Sequence, residues 1–234
     1  MKIQTFFFCT IAVCAACGIF TACAPQAAVA VRPDSSGTIS FRSALTPAME
    51  KAMRNILGVE SGSFFNAPGI RESMSAAGFT VAALSFPSDT GIDITLESGN
   101  LNTAFPEALR FISAEKNAFS ITISPETAAA AVALMPPETG DYLALLMAPL
   151  FTGEEFSPGE YTDLIAVTYG NTLSRELESA VISLAVSLPG TITKASAKGA
   201  AAEVSWSGKN ALFRLPLTAL LTLRGEITCS AEWK

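Results

Sequence analysis

The chain has no histidine, and only 15% of its 234 residues are charged. Without imidazole it lacks the commonest general base near neutral pH and the commonest metal ligand, which closes most familiar hydrolase and zinc chemistries. Basic residues are also few, with 15 Lys and Arg against 21 Asp and Glu. A nucleic-acid surface needs clustered cations that displace counterions, so this balance argues against nucleic acid as a partner. It argues equally against docking on anionic lipid by charge alone. Cysteine is nearly missing from the body: Cys9, Cys14, Cys17 and Cys23 fall in the first 23 residues, and Cys229 alone lies beyond them. No structural disulfide is therefore expected, and the mature fold must stand on packing. No metal-ligand spacing or cofactor motif is present, so neither a metal nor a cofactor is expected. What the chain does have is apolar content, at 50% of residues, which belongs to a folded protein.

The amino terminus carries the strongest signal. Met1 to Thr5 holds one positive charge, Lys2, and Phe6 to Ala22 then runs 17 residues without a charge, as an export signal does. The run closes on Phe20-Thr21-Ala22-Cys23, which resembles the bacterial lipobox. There a bulky apolar residue and two small ones precede the cysteine that receives diacylglycerol before cleavage, with Phe20 here in the place usually held by leucine. The expectation is a signal peptide over 1–22 and lipid attachment, with palmitate among its acyl groups, at Cys23. Cys17, behind Cys14-Ala15-Ala16, is the second candidate, although Gly18-Ile19-Phe20 continues the apolar run past it. Two other routes stay open: ordinary signal cleavage after Ala28-Val29-Ala30, or retention of the run as an uncleaved anchor. All three place the body outside the cytoplasm. A lipid-anchored protein on the periplasmic side or the outer membrane is the leading expectation, and Ala24 leans to the outer membrane because it lacks the aspartate that retains some lipoproteins at the inner one.

Residues 23–37 are expected to be the lipidated cysteine and a flexible tether, and 38–234 a single α+β domain with a helical segment at about 125–180. Thr46-Pro47, Ser124-Pro125 and Ser157-Pro158 each put a capping hydroxyl before a proline at the first helical position, where its missing N–H costs nothing. Glu160 completes a capping box with Ser157. Met49, Ala52, Met53, Ile56 and Leu57 recur at helical spacing up to Gly58. Tyr161, Leu164, Ile165 and Tyr169 begin a second amphipathic pattern that extends to Val181 if it continues past Gly170-Asn171. Strict alternation marks strands at 92–97, 119–124, 182–188 and 227–233. A hairpin is expected from 79–86 to 92–96, and a carboxy-terminal meander with Pro189-Gly190 as its first turn. One-sided alternation means an antiparallel sheet with one wet face, hence α+β with helices packed on one face.

No catalytic group stands out. Asp89-Thr90-Gly91 spells an aspartic-protease triplet but falls where a hairpin needs a turn. Ser113-Ala114-Glu115-Lys116 has the Ser-x-x-Lys spacing of penicillin-interacting enzymes without their partner elements. Glu138, Asp141, Glu154, Glu155, Glu160 and Asp163 form an acidic region that reads as a solvated face, several members opposing helix dipoles. Cys229 lies on the apolar side of its strand with no basic neighbour to hold a thiolate, so it reads as packing. The stretch Leu143 to Phe151 is apolar around the whole helix circumference; it reads first as a core helix, and second as the wall of an apolar pocket or a lipid-contacting surface. Met53, Leu146 and Phe151 are the candidate ligand-binding residues on the second reading, with Phe64-Phe65 suited to the same pocket.

Leu188-Pro189-Gly190-Thr191-Ile192, followed by Val204-Ser205-Trp206, resembles the Leu-Pro-Gly … Val-x-Trp signature of LppM-like bacterial lipoprotein domains. The resemblance covers about twenty residues of the chain. It implies an α+β domain at the cell envelope with affinity for lipids, and it carries over no catalytic residue. The expected function is a non-enzymatic envelope lipoprotein that binds a hydrophobic ligand or an envelope partner. A structural or assembly scaffold is the alternative, and a hydrolase using carboxylates alone is third.

Overall fold

The computed structural model describes residues 25–58, 60–104, 112–133, 147, 149, 152–199 and 201–234. The elements run β1 (Gln26–Val31), β2 (Gly37–Ala44), α1 (Pro47–Leu57), α2 (Ala67–Ala76), β3 (Thr80–Ser88), β4 (Gly91–Ser98), β5 (Ile112–Glu115) and β6 (Ala118–Ile123). They continue α3 (Pro125–Ala133), α4 (Pro158–Tyr169), α5 (Asn171–Ser179), β7 (Val181–Ser187), β8 (Ile192–Lys198), β9 (Glu203–Ser207), β10 (Asn210–Pro216), α6 (Leu217–Leu221) and β11 (Ile227–Trp233). The class is α+β, as the mixture of periods predicts.

Two sheets form where a single one was expected. A seven-stranded sheet has the order β3-β4-β2-β1-β7-β10-β9, and a four-stranded sheet the order β5-β6-β11-β8. Their apolar faces share one core: Val29, Val186 and Phe213 from the first sheet pack with Phe119, Ile121, Ile227 and Cys229 from the second. Each sheet keeps a wet outer face, where hydroxyl pairs such as Ser40–Thr95 at 3.1 Å, Thr122–Thr228 at 3.3 Å and Ser196–Ser230 at 2.9 Å replace hydrophobic contacts. The alternation in the sequence is therefore real, but what covers the inner face is mostly the other sheet. Among the described helices, α2 rests on the larger sheet through Ile70 and Met74 against Phe79, Ile94 and Leu96, and Leu220 of α6 packs against the shared core. The helices α1, α4, α5 and α6 build a second core of their own around Met49, Met53, Tyr161, Ile165, Leu173, Leu177 and Leu221.

The expected tether is corrected by the structure. Residues 26–31 form β1, which pairs antiparallel with β2 and parallel with β7, in the middle of the seven-stranded sheet. Val29 and Val31 are buried at 3% and 7% exposure, and Ala27 packs beside them, while Ala28 and Ala30 point to the wet face. Burying the two valines stabilises the fold by about 2 kcal/mol each.

The expected meander is corrected as well. β7 pairs with β10, whereas β8 pairs with β11, so Pro189-Gly190 carries the chain from one sheet to the other. Glycine is required there because a side chain at 190 would run into the Trp233 ring and the Lys234 carbonyl. The helical pattern after Tyr161 breaks into α4 and α5 at Gly170, whose φ of 97° suits glycine alone. The three hydroxyl–proline starts are all observed: Thr46 Oγ1 accepts from Met49 N at 3.2 Å, Ser124 Oγ from Thr127 N at 3.3 Å and Ser157 Oγ from Glu160 N at 3.3 Å. The capping box of Ser157 and Glu160 is complete, and the Ser157 hydroxyl and N–H hold the Glu160 carboxyl below its ordinary value.

A chain starting at Ala24 should therefore unfold in one cooperative urea transition, and one starting at Arg32 should show none. Val29→Ala should lower stability by about 2 kcal/mol. A change near zero would return residues 26–31 to the status of a tether.

Candidate functional site

The end of the larger sheet where the chain enters is built from strand–helix junctions. Gln26 stands opposite Arg42 of β2 and Ser183 of β7, and Ser183 in turn stands opposite Arg214 of β10. At this same end β2 leads into α1 after Ala44, α5 leads into β7 at Val181, and β10 passes into α6 after Pro216. The helical core thus caps the sheet end at which β1 begins. Pro25 already belongs to this end, because its carbonyl accepts a hydrogen bond from Ser183 N at 3.0 Å.

Polar contacts lock the cap together. Thr46 caps α1 and donates its hydroxyl hydrogen to the Glu176 carboxylate of α5. Ser174 Oγ of α5 donates to the Thr162 carbonyl of α4 at 2.8 Å. Tyr161, 2% exposed, has its hydroxyl pushed well above the usual phenol range by burial, with a smaller contribution from Tyr169. Burial disfavours its charged form.

Arg54 pins the loop after α1. Its side chain is 14% exposed; Nε donates to Glu50 Oε1 at 2.8 Å, Nη2 donates to the Gly62 carbonyl at 3.1 Å, and the guanidinium lies 4.7 Å from the Phe64 ring centre. Phe64 N donates to the Asp89 carbonyl at 3.0 Å, and Phe65 stacks on Phe86 with centres 5.6 Å apart. Phe64 and Phe65, which the sequence offered to a pocket, clip this loop to the β3–β4 turn, and Phe64 also packs against the helical core. Arg54 Nη1 is buried with no hydrogen-bond partner among the described residues.

Of the expected site residues, Met53 is 7% exposed and packed in the helical core, where the partly buried Met147 and Phe64 also contact the cluster. Cys23, Leu146 and Phe151 lie outside the described residues, as does most of the apolar stretch 143–151. The motif-like residues stay apart: Asp89 and Thr90 form the β3–β4 turn, and Lys116 is exposed in the β5–β6 turn beyond Ser113. Among the described residues no group of three His, Cys, Asp or Glu is placed to hold a metal. No helix among them is long and apolar enough to cross a membrane.

The open concavities fall where no sequence motif pointed. A groove of about 580 Å³ on the wet face of the larger sheet is lined by Ala28, Ala30, Ser40, Ala185, Trp206 and Leu212, among others. A second, of about 720 Å³, runs between α1 and the α4–α5 bend, past Lys51, Ala52, Asn55, Thr168, Tyr169 and Leu173. The alternation of Ala and Ser with valine in β1 and β7 was the available signal for the first, since small residues on a sheet face leave a hollow. For the second there was none, because it depends on how the helices meet.

No protein-family model and no curated protein matches the chain. Among solved structures it is similar to the NMR structure of the folded domain of Mycobacterium tuberculosis LppM, with 9% identity, a TM-score of 0.38 and 91% of each chain covered. A likeness at that score carries no argument about function, which has to be read from this chain's own residues.

Cys229 supplies a test of the core. It is 2% exposed, and burial pushes its thiol from 9.0 up to about 11. A raised value means that the folded state holds its proton longer than the unfolded state does. The stabilisation is complete below pH 9.0 and is lost as pH climbs to about 11, and Cys229→Ala should flatten that part of the stability profile. At pH 8 a thiol reagent should modify Cys229 only on unfolding; prompt labelling of the folded protein would contradict the packing described.

Proposed function

We propose that the chain is an exported bacterial envelope lipoprotein held to a membrane by lipid on Cys23, and that its domain binds an apolar ligand or an envelope partner without catalysing a reaction. The observation that carries this reading is the position of β1. Cleavage after Ala30 would remove Gln26 to Ala30 from the middle of the seven-stranded sheet and take the buried Val29 out of the core. Processing at Cys23 leaves β1 whole and puts the anchor two residues before Pro25. Between the two cleaved products, only the lipoprotein keeps an intact sheet.

Binding is supported by two of the open grooves, whose linings mix small apolar residues with hydroxyls and amides, and in the second a lysine. One observation favours the scaffold alternative. Met53 is sealed in a core instead of facing a cavity, so contact through an open surface accounts better for the described residues than an enclosed ligand does.

Labelling growing cells with an alkyne analogue of palmitate tests the anchor. The wild-type chain and Cys17→Ser should take up label and sediment with membranes, whereas Cys23→Ser should lose the label. Persistent labelling of Cys23→Ser together with its loss in Cys17→Ser would move the anchor to Cys17. No label on any form would set the lipoprotein reading aside.

A further inference from the structure

The end of the domain that carries α4 also carries the route to the membrane. Cys23 precedes Pro25 by two residues, and an extended chain spans at most about 3.5 Å per residue, so the anchor can stand no more than about 7 Å from the folded body. Pro25 enters at the middle of the larger sheet, since β1 is fourth of its seven strands. The helices α1, α5 and α6 leave the sheet at this end, and α4 packs on α5 and α6. A domain tethered this closely keeps the Pro25 end of its larger sheet, the end that the helices cap, near the anchor.

That cap presents uncovered apolar side chains. Three of the five exposed large hydrophobic residues among those described lie on α4: Leu164 at 46%, Val167 at 88% and Tyr169 at 36%. Leu164 and Val167 are three residues apart and share one exposed face of the helix with Glu160, while the adjoining face that carries Tyr161 and Ile165 is buried. The charges beside them do not suit anionic lipid, because Glu160 and Asp163 are exposed on the same helix. Resting on the anchored reading above, we infer that α4 docks on a zwitterionic phospholipid surface through Leu164 and Val167, a second contact that orients the domain beside its lipid anchor. Such a shallow contact is weak alone, but the short tether turns it into an intramolecular event at high effective concentration.

The test uses the full chain purified from membranes with its anchor and reconstituted in phosphatidylcholine vesicles. An environment-sensitive fluorophore is placed at Val167→Cys or, as a control, at Ser207→Cys. Ser207 pairs with Asn210 at the opposite end of the sheet, and the buried Cys229 serves as the unlabelled background. Quencher attached to the lipid chains should reduce emission at position 167 by about half and leave position 207 unchanged. Unquenched emission at 167, in protein whose Cys23 carries its acyl mass, overturns the docking and leaves the anchor standing. Equal quenching at both positions also overturns it, because no end is then preferred. Emission at 167 that is blue-shifted in detergent and vesicles alike, yet blind to the quencher, assigns the patch to a protein contact and overturns the lipid surface. If Cys23 carries no acyl mass, the anchored reading fails and the docking fails with it.

Discussion

The pairing of β1 with β2 on one side and β7 on the other holds the larger sheet together. β3-β4-β2 comes from the amino-terminal half of the body and β7-β10-β9 from the carboxy-terminal half, and β1 is the strand that joins them. Its contact with β7 is parallel, from Gln26 opposite Ser183 to Ala30 opposite Ser187. Without β1 two three-stranded pieces would expose unpaired edges, which natural sheets avoid. They would also lose the valines that meet Val186 and Phe213 in the shared core. A strand of six residues near the amino terminus therefore governs how much of the chain folds at all.

That dependence explains how the rest is arranged. At the end of the sheet where β1 enters, the neighbouring strands join helices, and the amphipathic helices gather there into a core distinct from the one between the sheets. Hydroxyl–proline caps set where α1, α3 and α4 begin, and hydroxyl bonds from Thr46 and Ser174 tie the helices to one another. The outward residues of both sheets are largely Ser, Thr, Ala and paired charges, with Leu212 and Trp206 confined to the groove of the larger sheet. Arg42 with Asp93, and Lys194 with Glu232 at 3.6 Å, are examples. Exposed pairs of this kind add little stability but keep the open faces soluble.

Much of this was legible in the residues. Alternation located β4, β6, β7 and β11, and the caps located three helix starts, because each signal is local and follows one period or one hydrogen bond. Two kinds of feature were not legible. β1 was hidden because Gln26 to Val31 is half alanine and sits beside a signal-like run, so two valines were all that marked it. The division into two sheets was hidden because alternation tells which side of a strand is apolar, and not which strand lies next to it. Pro189-Gly190 looks the same in sequence whether it turns a hairpin or carries the chain between sheets. Of the candidate site, Met53 was correctly placed on the apolar face of its helix, but a buried position reads alike as core or as pocket wall. The grooves depend on long-range packing that no local pattern records.

The integrity of the sheet depends on Gln26 to Val31 being a core strand, and so do the proposed anchor site and the proposed docking of the helical cap. Hydrogen exchange on the folded protein reads this directly. The amides of residues 27–31 that take part in the ladder should exchange as slowly as those of Leu184 and Val186, by opening that approaches global unfolding. Exchange across 26–31 at the rate of an unstructured peptide, with β7 still protected, would make the segment a tether and contradict the central role given to β1.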